Sequence, residues 1–458
     1  MEDRFPDVDP EEAEYVDYML ATGERPLSGG GGCLLMLIVL ALGLTDFLAA
    51  DEPRKDRLHG YVGGPYKVVA ADFTGDKLID VLLGYRGIGV LAVDQGDGRG
   101  QLTPLAINEF SDADRKLNPD DASWSVPHVH NISSADLDGD GLLDLLFAVG
   151  GASKLKPGRV VVAHNAGRGQ FKRVLEFSTP SEAKGVRFVD MDRDGRLDVM
   201  YTARGSGYKD DLAIGRLYIR RGLGNWKFGP AIESLAGKSA YSIDTADLNN
   251  DGFPDVVIPN EHDTSVTYFL NPGKTIFSRA ASLSSRQVRA SPIPNKRSHA
   301  INDVRVADFD GDGNQDLVTA NLGTSTISVF PGNGDGTFGK DTLLDAGKNG
   351  AFLGIGDFDR DGDVDFVITH WTEDFASVFL NIGDGRFAAR RDYRTGSGNY
   401  GVDVADLNGD GHLDIVTANY RALSMSLLIG AGDGTFKPAI TRSKGFRSFL
   451  GKLSPHNR

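Results

Sequence analysis

The sequence predicts an all-β fold, a seven-bladed β-propeller of four-stranded antiparallel blades with an aspartate-rich hairpin loop in each. Two observations carry that expectation. The first is a repeated pattern, D-x-[DN]-x-D-G-x-x-D, beginning at Asp136, Asp190, Asp247, Asp308, Asp357 and Asp406, with a degenerate copy at Asp72. Successive copies stand 64, 54, 57, 61, 49 and 49 residues apart, longer than the usual repeat of a linear β-solenoid. The second is that every copy has the same surroundings. An apolar stretch leads in (Val304 to Ala307), a β-branched stretch leads out (Asp316 to Thr319), and a strand with a glycine turn follows (Gly334 to Phe338). Each unit therefore reads strand, acidic loop, strand, loop, strand, glycine turn, strand. At 458 residues the chain is long for one ordinary domain, but a repeat array escapes that limit because each unit buries its face on the next.

Residues 1–32 are acidic and close on a glycine run, which predicts a disordered tail. Cys33 to Leu44 then carry no charge. The segment 33–50 reads either as a signal peptide, with Leu48, Ala49 and Ala50 as cleavage site, or as a single membrane anchor. Both readings stay open at this point. Cys33 is the only cysteine, so no internal disulfide can staple the fold. The repeats occupy 61–441, and a basic tail, 442–458, ends the chain.

The acidic loops have the chemistry of a calcium site. Calcium wants six to eight oxygens, and side chains at loop positions 1, 3, 5 and 9 supply them, with glycine at 6 for the sharp turn. The expected ligands are Asp136, Asp138, Asp140 and Asp144 in blade two, and Asp190, Asp192, Asp194 and Asp198 in blade three. Blade four offers Asp247, Asn249, Asp251 and Asp255, and blade five Asp308, Asp310, Asp312 and Asp316. Blade six offers Asp357, Asp359, Asp361 and Asp365, and blade seven Asp406, Asn408, Asp410 and Asp414. An EF-hand would need a glutamate at position 12, where these copies hold Phe147, Tyr201, Ile258, Thr319, Ile368 and Thr417. Blade one retains Asp72, Asp76 and Asp80 but has Thr74 and Lys77 where an acid and a glycine belong, so its site is doubtful and Lys77 is expected to supply the cation. About six calcium ions are implied, which would bring the formal charge from −15 to about −3. That acidic balance excludes a nucleic-acid partner, which needs a basic footprint.

From Tyr61 to Thr441 these units resemble the FG-GAP and VCBS repeats of integrin α-subunit heads and of many exported bacterial proteins. The resemblance implies the propeller and its calcium loops. Its members include adhesins, receptors and some carbohydrate-active enzymes, so it says little about activity. The expected role is an exported adhesion or recognition module whose partner is a polar ligand such as a glycan or a protein surface. The alternative is a carbohydrate-active lyase or hydrolase on the same scaffold. Calcium loops of extracellular affinity, about 10⁻⁴–10⁻³ M, favour export over a calcium-poor cytosol.

A ligand is expected on the face opposite the loops. Position 14 of the repeat holds Asn260, Asn321, His370 and Asn419 in blades four to seven, with Trp371 beside His370 as an aromatic platform. Three residues before each loop stand Val69, Ser133, Arg187, Asp244, Arg305, Gly354 and Asp403, a register expected to line the central channel, with Arg187, Asp244 and Arg305 forming an ion-pair chain. Two long connections, Glu109–Asn131 and Ser278–Asn302, interrupt the period, and the second is basic. His128 and His130, two apart on one strand face, have zinc-ligand character but no evident third ligand. None of the common nucleophile, metalloprotease or phosphate-loop motifs occurs.

Overall fold

The computed structural model describes residues 64–86, 89–110, 128–150, 158–205, 214–261, 265–276, 285–289, 300–322 and 324–443. The acidic tail, the apolar segment 33–50 and the chain beyond 443 lie outside the described residues. The strands belong to one compact unit, His59–Arg458.

Seven antiparallel sheets of four sequential strands form the blades, as the repeat arithmetic predicted. Blade one comprises Pro65–Ala71, Asp80–Tyr85, Val90–Gly96 and Leu102–Glu109. Blade seven comprises Asn399–Ala405, Asp414–Asn419, Ser424–Leu428 and Ile440–Arg442. First strands of neighbouring blades pack side by side about the axis. The second strands, such as Asp144–Gly150, are buried along their whole length, because each face is covered by an adjacent blade. That explains their unbroken apolar runs. The outer strand Leu102–Glu109 instead alternates towards solvent.

The acidic pattern is the complete turn between first and second strands. In every blade the residue before position 1 pairs with position 9: Ala71 with Asp80, Ala135 with Asp144, Val189 with Asp198, Ala246 with Asp255, Ala307 with Asp316, Gly356 with Asp365 and Ala405 with Asp414. Neighbouring blades are tied where these turns lie. The position 2 carbonyl accepts from the next blade's glycine turn: Leu248 from Gly336 N at 2.9 Å, Phe309 from Gly385 N at 3.2 Å and Phe358 from Gly434 N at 3.1 Å. Asn165 Nδ2 donates likewise to Phe73 O at 2.9 Å and Asn271 Nδ2 to Met191 O at 2.7 Å.

Around the axis the register three residues before each loop does more than line a channel. Ser133 Oγ accepts from Phe188 N at 3.1 Å, Asp244 Oδ2 from Val306 N at 3.1 Å and Asp403 Oδ2 from Ala70 N at 2.8 Å, each reaching the next blade. Arg187 pairs with Asp244 at 2.8 Å as expected, but Arg305 turns to Asp303 at 3.0 Å, so the anticipated chain of three is broken. The last of the backbone ties closes the ring. Among the described residues no strand crosses between the first and last blades; Asp403 reaches Ala70, Arg442 reaches Gln101 Oε1 (2.7 Å) and the Leu102 carbonyl, and apolar residues of the two blades share one core.

Both long connections are shorter than the sequence suggested. His128 to Asn131 belong to blade two's first strand, His128–Ala135, and Arg286 and Arg289 to blade four's outer strand, Ser285–Arg289. The strand expected under His128 and His130 is present, whereas no β-branched or apolar run marks Ser285–Arg289 as a strand.

Candidate functional site

Two regions gather chemistry: the ring of acidic loops, and the axial end of the opposite face. In the loops, backbone amides preorganise the carboxylates. Asp308 takes Gly311 N at 2.8 Å and Gly313 N at 2.9 Å, Asp310 takes Asp312 N at 3.2 Å, and Asp312 takes Asn314 N at 2.8 Å. Position 9 is deeper. Asp316, 1% exposed, accepts from Phe309 N (2.8 Å) and from Gly332 N on the third strand (2.6 Å), and all seven copies repeat that double tie. The sequence marked this residue as a metal ligand. It is equally the pin joining loop, second strand and third strand.

Ligand atoms from Asp136, Asp138 and Asp144 lie within 4.8 Å of one another, as do those of Asp190, Asp192 and Asp194, and of Asp308, Asp310 and Asp316. By spacing alone each of these clusters could hold a metal ion. Burial pushes the Asp316 carboxyl up to about 6, with Asp310 and Asp308 adding to the rise, and Asp365 up to about 7 for the same reasons. Asp359 Oδ1 in blade six is a buried oxygen with no hydrogen-bond donor. Carboxylates held together without a countercharge ask for a cation. In blade one Lys77 does not answer that demand. Its backbone N–H donates to Asp72 Oδ2 at 2.7 Å, while the side chain that reaches a loop acid is Gln95, whose Nε2 donates to Asp76 Oδ2 at 2.9 Å.

The position 14 register is turned inwards, which corrects its expected role as a ligand surface. Asn260, His370 and Asn419 are 0% exposed and Asn321 is 4% exposed. Asn260 Nδ2 donates to Ser265 Oγ and Thr267 Oγ1 (2.7 and 2.9 Å), and Asn419 Nδ2 to Ser424 Oγ and Ser426 Oγ (3.1 and 2.8 Å). Asn321 repeats the clamp on Thr326 and Ser328, and His370 Nε2 meets Ser377 Oγ at 2.9 Å. Burial pushes the His370 imidazole down to about 4, so it is neutral. Only Trp371 of this group is half-buried, stacked on Tyr420 at 5.9 Å and 12°.

The axial end of that face holds a cluster that sequence reading largely missed. Tyr66 of blade one, Tyr241 of blade four and Tyr400 of blade seven meet at the axis, their hydroxyls 3.1 and 3.0 Å apart. Lys67 Nζ lies 3.0 Å over the Phe352 ring, and burial lowers the ammonium to about 7. Beside the tyrosines, His130 Nε2 is 2.7 Å from Glu182 Oε1, and Lys184 Nζ is 3.3 Å from Glu182 Oε2 and 3.5 Å from His130 Nδ1. Arg204 bridges Glu182 (3.3 Å) and Glu261 (2.8 Å). Glu182 is the third ligand-type group that His128 and His130 lacked in sequence. Burial opposes its charge, but Lys184 and His130 hold it well below the usual carboxylate range. Burial, with Arg86 and His130, holds His128 well below its ordinary value. Several positive groups surround one carboxylate here, an arrangement suited to hydrogen bonding or proton transfer more than to a second cation. The available signal was register: Tyr66, His130, Lys184, Tyr241 and Tyr400 all stand six residues before their loops.

Comparison with known proteins places these features in context. The family model described as FG-GAP-like repeat matches residues 136–201, 204–258, 308–368 and 357–417, together just over half of the chain. Among solved structures, the chain is similar to an Agrocybe aegerita lectin described as recognising non-reducing terminal N-acetylglucosamine, with TM-score 0.50 and 20% identity, over 83% of this chain and 94% of the lectin. It is also similar to the periplasmic gluconolactonase of Pseudomonas aeruginosa, with TM-score 0.52 and 13% identity, over 73% of this chain and 86% of that one. At these identities the likeness is one of fold.

Proposed function

Because the chain belongs to the FG-GAP-like repeat family, we propose that it is an exported recognition propeller, stiffened by calcium in its acidic loops, that binds a polar ligand on the opposite face. The observation that carries this reading is the division of labour between the two ends. One end repeats an acidic hairpin loop of the same plan, complete in blades two to seven. The other varies between blades and gathers Trp371, Tyr420, Arg86 and Glu182 near the axis. Stacked aromatic rings beside charged groups suit a sugar or a polar protein surface, an aromatic contact being worth about 1 kcal/mol beyond its area. The clamps at Asn260, Asn321, His370 and Asn419 would hold that surface from behind. Calcium would act at a distance, by neutralising the loop acids and fixing the hairpins between first and second strands. Its ligands would be the position 1, 3, 5 and 9 side chains.

A glycan and protein array probed with calcium, then with chelator, tests the reading. Trp371→Ala with Tyr420→Ala should weaken binding at least tenfold while bound calcium stays unchanged; undiminished binding by this double variant would remove the face from consideration. For export, mass spectrometry should find a mature chain starting near Asp51, or Met1–Gly32 peptides in a membrane fraction if the segment is an anchor. Recovery of soluble, full-length cytosolic protein would contradict both routes.

The His130–Glu182 pair favours a second reading, a carbohydrate-active hydrolase or lyase with that dyad as acid and base. Product release from a bound glycan, abolished in Glu182→Gln, would select it over simple recognition.

A further inference from the structure

The complete loops look interchangeable in sequence, yet one third-strand position separates them. Immediately before the amide that bonds position 9 stand Gln95, His164, Arg221, Leu270, Pro331, Leu380 and Ile429 in blades one to seven. Blades four to seven place an apolar side chain there. In blade two His164 Nδ1 lies 3.2 Å from Asp144 Oδ1. In blade three the side chain is a guanidinium, and it enters the cage. Arg221 Nε is 3.1 Å from Asp192 Oδ2 and its terminal nitrogen is 2.8 Å from Asp194 Oδ2. Arg196, at loop position 7, adds a second guanidinium 2.8 Å from Asp194 Oδ2.

We propose that Arg221 is the resident cation of blade three, so that this loop, although complete by motif, takes no calcium. The bridged carboxylates are those of positions 3 and 5, the pair that an ion would have to draw together. Asp192 and Asp194 keep only 5% and 15% of their side-chain surface in solvent, so the guanidinium is the charge that faces them, although Asp192 Oδ1 itself accepts no hydrogen bond. Arg221 and Arg196 together bring the two positive charges that one calcium would bring. The neighbouring Gly222 N donates to Asp198 Oδ1 at 2.7 Å, which fixes the strand and leaves Arg221 only its own torsions to order. Such a tethered group acts at an effective concentration on the order of millimolar or more. Calcium of the roughly 10⁻⁴–10⁻³ M affinity usual in extracellular modules would therefore have to compete with a cation already held at the site.

The inference rests on the proposal that the other complete loops hold calcium, and the test separates the two. Full-length protein is stripped with chelator, equilibrated with Ca²⁺ alone, and its bound metal counted. Wild type should hold five ions, in blades two and four to seven. Arg221→Leu, which installs the residue type of blade four, or Arg196→Leu with Arg221→Leu, should hold one more. Asp308→Ala should hold one fewer, showing that single sites are resolved. Equal counts in wild type and both arginine variants, with Asp308→Ala losing one, overturn the inference and leave the calcium reading standing. No bound ion in any protein overturns both. Should the arginine variants not fold, a crystal structure of calcium-saturated wild type decides: the guanidinium between Asp192 and Asp194, with ions in blades four to seven, supports the assignment, and an ion in blade three ends it.

Discussion

Asp316 shows how much one residue of the repeat is asked to do. Its two oxygens accept from Phe309 N and Gly332 N while its first-to-second strand position is fixed by pairing with Ala307. Asp316→Asn turns an acceptor into a donor facing a backbone N–H. A loss of about 1–3 kcal/mol is expected in urea unfolding, whether or not calcium is present. An effect confined to calcium-containing buffer would mean that the residue is a ligand and not also a pin. The same buried carboxyls give a pH signature. Burial raises Asp198 and Asp365 to about 7 and Asp255, Asp316 and Asp414 to about 6 in the folded chain, above their unfolded value near 3.8. The folded state therefore binds more protons than the unfolded state between those limits. In chelator this stabilisation is present below about pH 4 and is lost as pH rises through 6 to 7. The melting temperature of the metal-free protein should fall across that window, and calcium should flatten or reverse the trend. A chelated protein whose melting point rises from pH 4 to 7 would count against it.

Within a blade, the second and third strands are joined by more than their ladder. Asn419 accepts from Thr417 Oγ1 at 2.9 Å and donates to two serines of the third strand; Asn321 repeats both halves with Thr319, Thr326 and Ser328, and Asn260 repeats only the donation, to Ser265 and Thr267. Buried amides of this kind are costly to leave unpaired. Asn419→Ala should lower stability by about 1–3 kcal/mol in calorimetry and strand its former serine partners. It should leave bound calcium unchanged, because the clamp lies at the far end of the sheet from the loop. Asn260→Ala should do the same in blade four. The alternation of polar side chains was visible in sequence. Which way they faced was not, since a strand residue's two possible neighbours, ligand face or next strand, share one preference for amides.

For the whole molecule the junction to test is the seam between blades seven and one, where the two ends of the propeller meet. Among the described residues no strand is exchanged there, and the seam is held by apolar packing of blade one on blade seven (Val68 and Leu83 with Val416 and Leu427), by Asp403 and Arg442, and by Tyr66 on Tyr400, ring centroids 3.9 Å apart. Asp403→Ala should therefore lower the melting temperature clearly and raise proteolysis of the terminal blades first, as limited proteolysis with mass spectrometry would detect. Uniform cleavage along the chain would show that the seam is no weaker than any other junction. Chelation acts on every calcium-bearing blade instead, and it should lower the melting point in proportion to the ions removed, because ligands of the folded state stabilise it by mass action.

By itself the sequence determined the number of blades, the position of each hairpin loop and the strand that follows it. Those features depend on residues within a few positions of one another: the spacing of Asp308, Asp310, Gly313 and Asp316 is the turn. Only the tertiary structure decided what each loop and face contains. Ala70 and Asp403 meet across 333 residues, and Tyr66 and Tyr241 across 175. Arg221 enters its cage because the third strand returns beside the first turn, and Glu182 completes the histidine pair because blade three lies against blade two. No local pattern encodes such pairings. They arise when ring closure brings together positions whose side chains were chosen separately, and the charge or hydrogen bond left unpaired by one blade is supplied by another.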